Sequence, residues 1–285
     1  MVKRLFKFML IIPILSAFYF LTGCNVDLVG LVAANDLDER LKARNAFVLL
    51  SEEDRNWTTT QMGDTYQFIV FSDTHIEDGK AFGLEKLANV TKANPNIKFA
   101  VAAGDITQYG SEKDIKKFIS IAKSLGVPCY PAVGNHDIYF RNRDKKTGWN
   151  VWRKEIGSTS YRIDSDSTTL FILDSANSFF GKDQLDWLER EIKNRKKRVF
   201  VFAHSPLLVK GPADMQQMTD TKERARVMSI LRSKCDIMFM GHLHKHMVNE
   251  TGNVKYVGLA SYIEDKAYYL VSVTPNGVKY ERKKL

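Results

Sequence analysis

The sequence predicts an α/β fold in which β-sheets form a layered sandwich flanked by helices. Short, almost continuously apolar runs rich in β-branched and aromatic residues recur along the chain, as is typical of strands covered on both faces. Amphipathic helical stretches lie between these runs, and this alternation indicates a layered α/β core. With 285 residues, 44% hydrophobic and 26% charged, the chain has enough apolar surface for a full core. Disorder as the main state is therefore excluded.

The first 23 residues have the features of an export signal. Positive charges precede a short apolar stretch that Pro13 interrupts, whereas a membrane-spanning helix needs roughly 20 apolar residues. The string Leu21-Thr22-Gly23-Cys24 resembles a bacterial lipobox. We therefore expect residues 1–23 to be a lipoprotein signal peptide and Cys24 to be lipidated. An uncleaved single-span anchor is the alternative.

Residues 24–65 are predicted to be a lipidated tether with one short helix, and residues 66–285 to be the main domain. Lipidation would place the protein outside the cytoplasm, attached to a bacterial membrane through Cys24. Asn25 lacks the aspartate retention signal of Gram-negative lipoproteins, so an outer-membrane or cell-surface location is compatible with the sequence.

Within the main domain, six runs are predicted strands and three stretches are predicted helices. In chain order the strand runs are 66–71, 97–103, 127–133, 169–174, 198–203 and 236–240. The helices are expected at 111–126, 183–195 and 220–234, because their apolar residues recur at helical spacing. A hairpin is predicted over 161–174 and a second at the C-terminus, turning at 274–277.

Polar residues that can bind metals follow five of the strand runs. They are Asp73 and His75, Asp105, Asn135 with His136 and Asp137, His204, and His242 with His244. Five of the six histidines thus lie at carboxyl ends of predicted strands, where α/β sheets gather their ligands. A buried cluster of histidines and aspartates is costly unless a cation neutralises it. Imidazole, carboxylate and one amide suit Mn, Fe, Zn or Co, and the ligands are too numerous for one tetrahedral ion.

The ordered series DxH, GD, GNHD, H, GHxH over residues 66–246 resembles the calcineurin-like metallophosphoesterase family. The resemblance implies two divalent metal ions of unknown identity, with Asp105 bridging them. The first ion would be held by Asp73, His75, Asp105 and His244, and the second by Asp105, Asn135, His204 and His242. His136 would face the substrate. It also implies hydrolysis of a small phosphoester by a hydroxide that the two ions activate, with Asp105 and His136 as catalytic residues.

One position departs from the family pattern. Gln108 stands where many relatives have the acidic residue that orients the histidine of GNH, so the dyad of phosphoprotein phosphatases is absent. The metal-binding tyrosine of purple acid phosphatases is absent there as well. We therefore favour a phosphodiester slightly over a phosphomonoester, and expect Gln108 to hydrogen-bond the imidazole of His136.

Two alternatives to the enzyme are a catalytically inactive scaffold that binds metal or phosphate, and a nuclease of the same fold. Every ligand position is filled, which favours an enzyme. The basic runs at 141–146 and 193–198 lack interleaved aromatic residues, so nucleic acid is not a favoured partner.

Several residues near these motifs have more than one interpretation. Arg141, Arg143 and Trp149 are candidates for the substrate rim, although packing explains a tryptophan equally well. Cys129 and Cys235 lie in apolar runs and are either free and buried or disulfide-bonded. His246 lies beyond the GHxH pattern and is not expected to bind metal.

Overall fold

The computed structural model describes residues 37–44, 46–55, 62–138, 148–209 and 217–285. The predicted signal peptide, Cys24, Arg141 and Arg143 lie outside the described residues. Among the helices of the described residues, every one is too short or too polar to cross a lipid bilayer.

Two β-sheets form the centre of the fold. The strands are β1 Tyr66–Phe71, β2 Ile97–Ala103, β3 Cys129–Ala132, β4 Tyr161–Asp164, β5 Thr168–Ile172, β6 Arg198–Ala203, β7 Ile237–Met240, β8 Met247–Thr251, β9 Val254–Gly258, β10 Ala267–Thr274 and β11 Gly277–Lys284. One sheet has the order β11-β10-β1-β2-β3 and the other β4-β5-β6-β7-β9-β8. All six predicted strand runs and both predicted hairpins, β4–β5 and β10–β11, are confirmed.

Helices cover the outer faces of the sheets. They are α1 Leu37–Lys42, α2 Glu52–Arg55, α3 Leu87–Ala93, α4 Glu112–Ser124, α5 Asn135–Ile138, α6 Gly148–Glu155, α7 Lys182–Glu191, α8 Thr221–Leu231 and α9 Tyr262–Asp265. The predicted helices correspond to α4, α7 and α8. Ser111 caps α4 by accepting a hydrogen bond from the Asp114 N–H, and Asp220 caps α8 in the same way. These caps fix where the connections from the strand ends enter the helices.

The core consists of three layers of apolar side chains. The central layer lies between the sheets and is rich in aromatic rings; Phe68 and Phe99 stack with ring centroids 4.5 Å apart. A second layer packs under the helices of the first sheet and includes Ile115 and Phe118 of α4. The third includes Leu185 and Leu188 of α7 under the second sheet. The sandwich flanked by helices is therefore confirmed.

Parts of the segment before residue 66 pack on the main domain. Arg40 of α1 is fully buried and forms a two-pronged ion pair with Asp174, at 2.6 and 3.1 Å. Phe47 forms an isolated β-bridge with Gly157. Asp174 lies 134 residues from Arg40 in the sequence, so no local sequence pattern predicts this contact.

Trp149 is not a rim residue in the structure. It is 2% exposed and belongs to the apolar layer that also contains Trp152 and Ile138, because its place on α6 faces the first sheet. Cys129 and Cys235 are both free and buried, in apolar layers on opposite sides of the sandwich.

Candidate metal centre

The predicted ligands meet at one edge of the two sheets. β1, β2 and β3 run parallel, as do β5, β6, β7 and β9, so the carboxyl ends of these strands gather the motif residues together. Five motif residues adopt the left-handed backbone region that non-glycine residues rarely occupy: Asp73, His75, Asp105, His242 and His244. Such strained conformations concentrate at functional sites, where the surrounding structure holds them in place.

Glycines allow the loops to approach one another closely. A Cβ on Gly104, whose φ is 88°, would overlap the ring of His204. A Cβ on Gly134 would overlap the backbone and carboxylate of Asp105. The glycines of GD and GNHD are therefore required by the crowding of the site, in addition to the turns they make.

The first group of ligand atoms contains Asp73, His75 and His244. His75 Nε2 lies 3.3 Å from His244 Nε2, and His244 Nε2 lies 3.5 Å from Asp73 Oδ1. The Ser72 hydroxyl and the His242 backbone N–H both donate to the Asp73 carboxylate, which fixes its orientation. We call this group the first metal position.

The second group contains Asp105, Asn135, His204 and His242. His204 Nε2 lies 3.1 Å from Asp105 Oδ2 and 3.0 Å from Asn135 Oδ1, and His242 Nδ1 lies 3.0 Å from the same amide oxygen. The two imidazole nitrogens are 3.2 Å apart. We call this group the second metal position.

Asp105 lies between the two positions. Its Oδ2 is 3.1 Å from His204 Nε2 and 3.9 Å from His75 Nε2, so one carboxylate faces histidines of both groups. His136 Nε2 approaches the same oxygen at 4.0 Å, while His136 Nδ1 donates to the Gln108 carbonyl at 3.0 Å. The His136 side chain is 31% exposed, the most open of the three histidines around Asp105.

The residues present fit divalent cations. His75 Nδ1 donates to the Gln108 side-chain oxygen at 2.7 Å, and His244 Nδ1 donates to Glu264 at 2.6 Å. In the neutral rings both Nε2 atoms are therefore lone-pair acceptors, and they face each other beside the Asp73 carboxylate. Acceptors converging on acceptors in a buried place need a cation between them. A set of metal ligands that combines imidazole nitrogens with carboxylate oxygens suits a transition-metal or zinc ion.

The protonation of the histidines in the metal-free chain also indicates that the buried carboxylates require positive charge beside them. The hydrogen bond with Asp73 raises the pKa of His244 to about 9 despite burial, and Glu264 adds to the effect. Burial opposes the charged form of His204, but Asp105 raises its pKa to about 9. Burial, with the neighbouring His204, lowers the pKa of His242 to about 4. Protons on His204 and His244 thus supply, without metal, part of the positive charge that the carboxylates require.

Asp137 organises the loops without joining either group. Its carboxylate accepts hydrogen bonds from the backbone N–H groups of Ile106, Thr107 and Gly134. Burial, together with the nearby Asp105, raises the pKa of Asp137 to about 6. It therefore connects the GD loop to the GNHD loop.

Gln108 is placed differently from the prediction. Its side chain hydrogen-bonds His75, and only its backbone carbonyl reaches His136. The sequence interpretation also missed Glu264, which lies 20 residues beyond His244 on the short helix α9. His246 is exposed and accepts from the Tyr269 hydroxyl, outside both groups.

Comparisons with known proteins agree with this architecture. A probable cyclic nucleotide phosphodiesterase of Fibrobacter succinogenes is 28% identical over 189 residues, covering 64% of this chain and 65% of that protein. The chain therefore spans slightly less than two thirds of this relative. A probable glycerophosphodiester phosphodiesterase of Arcobacter nitrofigilis is 26% identical, covering 63% of this chain and 71% of that protein.

Among solved structures, a dimetal phosphatase from Danio rerio shares the fold. The TM-score is 0.60 at 14% identity, and the alignment covers 78% of this chain and 97% of the phosphatase. Residues 66–246 match the sequence model described as calcineurin-like phosphoesterase, and this range includes every candidate ligand named above. The chain belongs to the calcineurin-like phosphoesterase family.

Proposed function

We propose that the protein hydrolyses a small phosphodiester with two divalent metal ions, one at each metal position. The observation that carries this proposal is the convergence of imidazole nitrogens and carboxylate oxygens on both sides of Asp105. When bound, two such ions supply an activated water and positive charge for the phosphoryl oxygens. The resting place of the phosphate would be beside Asp105, where both groups are within reach.

The chain's own residues would orient the substrate and move the proton. Asp105 holds the two halves of the centre in register, and its Oδ1 accepts the His136 backbone N–H at 2.8 Å. The Gln108 carbonyl fixes the Nδ1 side of the His136 ring, and Nε2 lies 4.0 Å from Asp105 Oδ2. As the water oxygen bonds to phosphorus and releases a proton to the solvent, the ester P–O bond breaks. His136 in its doubly protonated form would donate the Nε2 proton to the departing oxygen, while its Nδ1–H keeps the hydrogen bond with the Gln108 carbonyl.

The preference for a diester is supported by two features. Two relatives are named as phosphodiesterases, one for cyclic nucleotides and one for glycerophosphodiesters. In addition, Gln108 leaves His136 with a backbone carbonyl as partner, where the phosphoprotein phosphatases have a carboxylate.

The test compares bis(p-nitrophenyl) phosphate with p-nitrophenyl phosphate. The metal-stripped chain is assayed after addition of Mn, Zn, Fe(II) or Co, beside the variants Asp105→Asn and His136→Ala. We expect metal-dependent diester hydrolysis that falls by more than about 10²-fold in Asp105→Asn, since even the loss of a metal ligand's hydrogen-bond partner costs up to that factor. His136→Ala should lower kcat about 10²–10⁴-fold and leave the metal content intact. Hydrolysis that survives both substitutions would contradict the proposal.

We also propose that the protein is exported and anchored through Cys24, as the sequence predicts. Labelling of cells with an alkyne analogue of palmitate should mark the wild-type chain and leave Cys24→Ser unmarked. Cys129→Ser is the matched control, because Cys129 is a buried thiol of the domain and its loss should leave the label in place.

A further inference from the structure

We propose that Glu264 is a positioning residue of the first metal position, acting through His244. This inference rests on the proposed function, since it assumes that His244 binds a metal ion. Glu264 lies outside residues 66–246, the segment that matches the family. It therefore belongs to a part of the chain to which the five motifs assign no role.

The helix that carries Glu264 is attached directly to the first metal position. The backbone N–H groups of Tyr262 and Ile263 in α9 donate to the carbonyls of Ser72 and Asp73, at 2.8 and 3.0 Å. The Ser261 hydroxyl caps α9 by accepting from the Glu264 N–H. Tyr262 is 1% exposed and anchors the helix in the apolar layer beneath it. Because α9 is held by the loop that contains Asp73, its backbone has a fixed relation to that residue.

From this base Glu264 reaches the outer nitrogen of His244. Its Oε1 lies 2.6 Å from His244 Nδ1, and the opposite ring nitrogen faces Asp73 and His75. The hydrogen bond holds the proton on Nδ1 and keeps the Nε2 lone pair directed at the metal position. A carboxylate in this place both fixes the ring and makes the imidazole a stronger ligand.

Two of the other candidate ligands, His75 and His204, have weaker partners on their outer nitrogens. His75 donates to the neutral amide oxygen of Gln108, and His204 donates to the backbone carbonyl of Ala103 at 3.2 Å. His244 is also more exposed than either, with 26% of its side chain accessible compared with 9% and 0%. An exposed ring is less constrained by packing, so its orientation depends more on a hydrogen bond.

The neighbouring Asp265 supplies a matched control. It lies on the same short helix, but its carboxylate pairs with Arg282 at 2.6 Å. Substituting Asp265 removes a carboxylate from α9 without touching His244. A general effect of charge or of helix stability should therefore appear in both variants, whereas positioning of His244 should be lost only when Glu264 is changed.

The experiment measures metal binding by the full chain, independently of catalysis. Mn²⁺ is titrated into metal-stripped wild type, Glu264→Ala, Glu264→Gln and Asp265→Asn by calorimetry, and the visible absorption of the Co²⁺ forms is recorded. We expect Glu264→Ala to lower the affinity for one of the two ions about 10–100-fold and to change the visible absorption spectrum of the Co²⁺ form. Glu264→Gln keeps an acceptor oxygen and should lose less, and Asp265→Asn should bind both ions as wild type does.

If Glu264→Ala binds each of the two ions with the same affinity as wild type, the inference is overturned. An equal loss in Asp265→Asn would also overturn it, because the cause would then be the helix in general. A wild-type chain that binds two ions without hydrolysing any diester would contradict the proposed function and leave this binding test intact.

Discussion

The two metal positions are built from the same kinds of side chain but are supported in different ways. At the second position, His204 is fully buried and its outer nitrogen donates to the Ala103 carbonyl, part of β2. At the first position, His75 and His244 are held by the side chains of Gln108 and Glu264. His204 of the second position is thus fixed by a backbone group in the interior, whereas both histidines of the first position are held by side chains, and His244 is 26% exposed.

The difference indicates which position should exchange its ion more readily. Backbone and core packing move only when the domain opens, whereas exposed side chains sample other rotamers in the folded state. We therefore expect the second position to hold its ion more tightly. Substitutions at the two positions and in their supporting contacts test this expectation.

The largest effect is expected from His204→Ala. This substitution removes a ligand of the second position and leaves the Asp105 carboxylate buried beside an empty volume. Activity should fall by more than about 10²-fold, since even partners of metal ligands cost up to that factor, and elemental analysis should show one ion lost. His246→Ala is the control, because His246 bonds Tyr269 and lies outside both groups. Two ions retained by His204→Ala would contradict the ligand assignment.

Arg40→Ala should destabilise the fold and affect the second position more than the first. Removing the guanidinium leaves the buried Asp174 without its charge partner, which typically costs about 3–5 kcal/mol in the free energy of unfolding. The loop after Asp174 supplies the Ser175 hydroxyl, which accepts the His204 N–H at 3.0 Å. Urea unfolding measures the first effect and Mn²⁺ titration the second.

Arg153→Ala is the matched comparison for Arg40→Ala. Arg153 pairs with Glu39 on the surface, where both side chains are at least half exposed, so its loss should cost at most about 1 kcal/mol. If the two substitutions destabilise the chain equally, the buried pair does not anchor α1.

The sequence predicted the ligand-bearing strands and the five motifs because both are local signals. The runs at 66–71 and 198–203 are apolar except for Gln67 and Arg198, as the two covered faces of each strand require, and Asp73 and His204 follow them within two residues. Parallel strands bring their carboxyl ends to one edge, so the meeting of Asp73, Asp105 and His204 follows from topology once the strands are placed.

The supporting contacts could not be predicted, because they join residues that are distant in sequence. Arg40 meets Asp174 across 134 residues, and the choice of Gln108 between His75 and His136 depends on the folded loop. The hairpin of β8 and β9 was also missed. β8 is an edge strand whose residues are mostly exposed, so its sequence carries no apolar run.

Gln108→Ala should weaken the first position about 10-fold, the lower end of the effect typical for the loss of a ligand's hydrogen-bond partner. The substitution removes the acceptor of His75 Nδ1 and preserves the backbone carbonyl that receives His136. Gln108→Glu keeps an acceptor and adds charge, so it should bind the first ion at least as tightly as wild type. Calorimetric titration with Mn²⁺ separates the two variants. If Gln108→Ala lowers the affinity for the second ion only, His75 does not belong to the first metal position.

Lowering the pH should reduce the metal affinity of both positions by the same factor, so the ratio of the two affinities should stay unchanged. His244, through its hydrogen bond with Asp73, and His204, through Asp105 and against the effect of burial, both have a pKa raised to about 9. Below that pH each metal-free position holds one proton that an ion must displace, so affinity falls about 10-fold per pH unit as the pH decreases. Calorimetry in two buffers of different ionisation enthalpy counts these protons, and about one per ion is expected. Unequal proton release would mean that the two positions differ in the charge of their metal-free state as well as in the hydrogen-bond partners of their histidines.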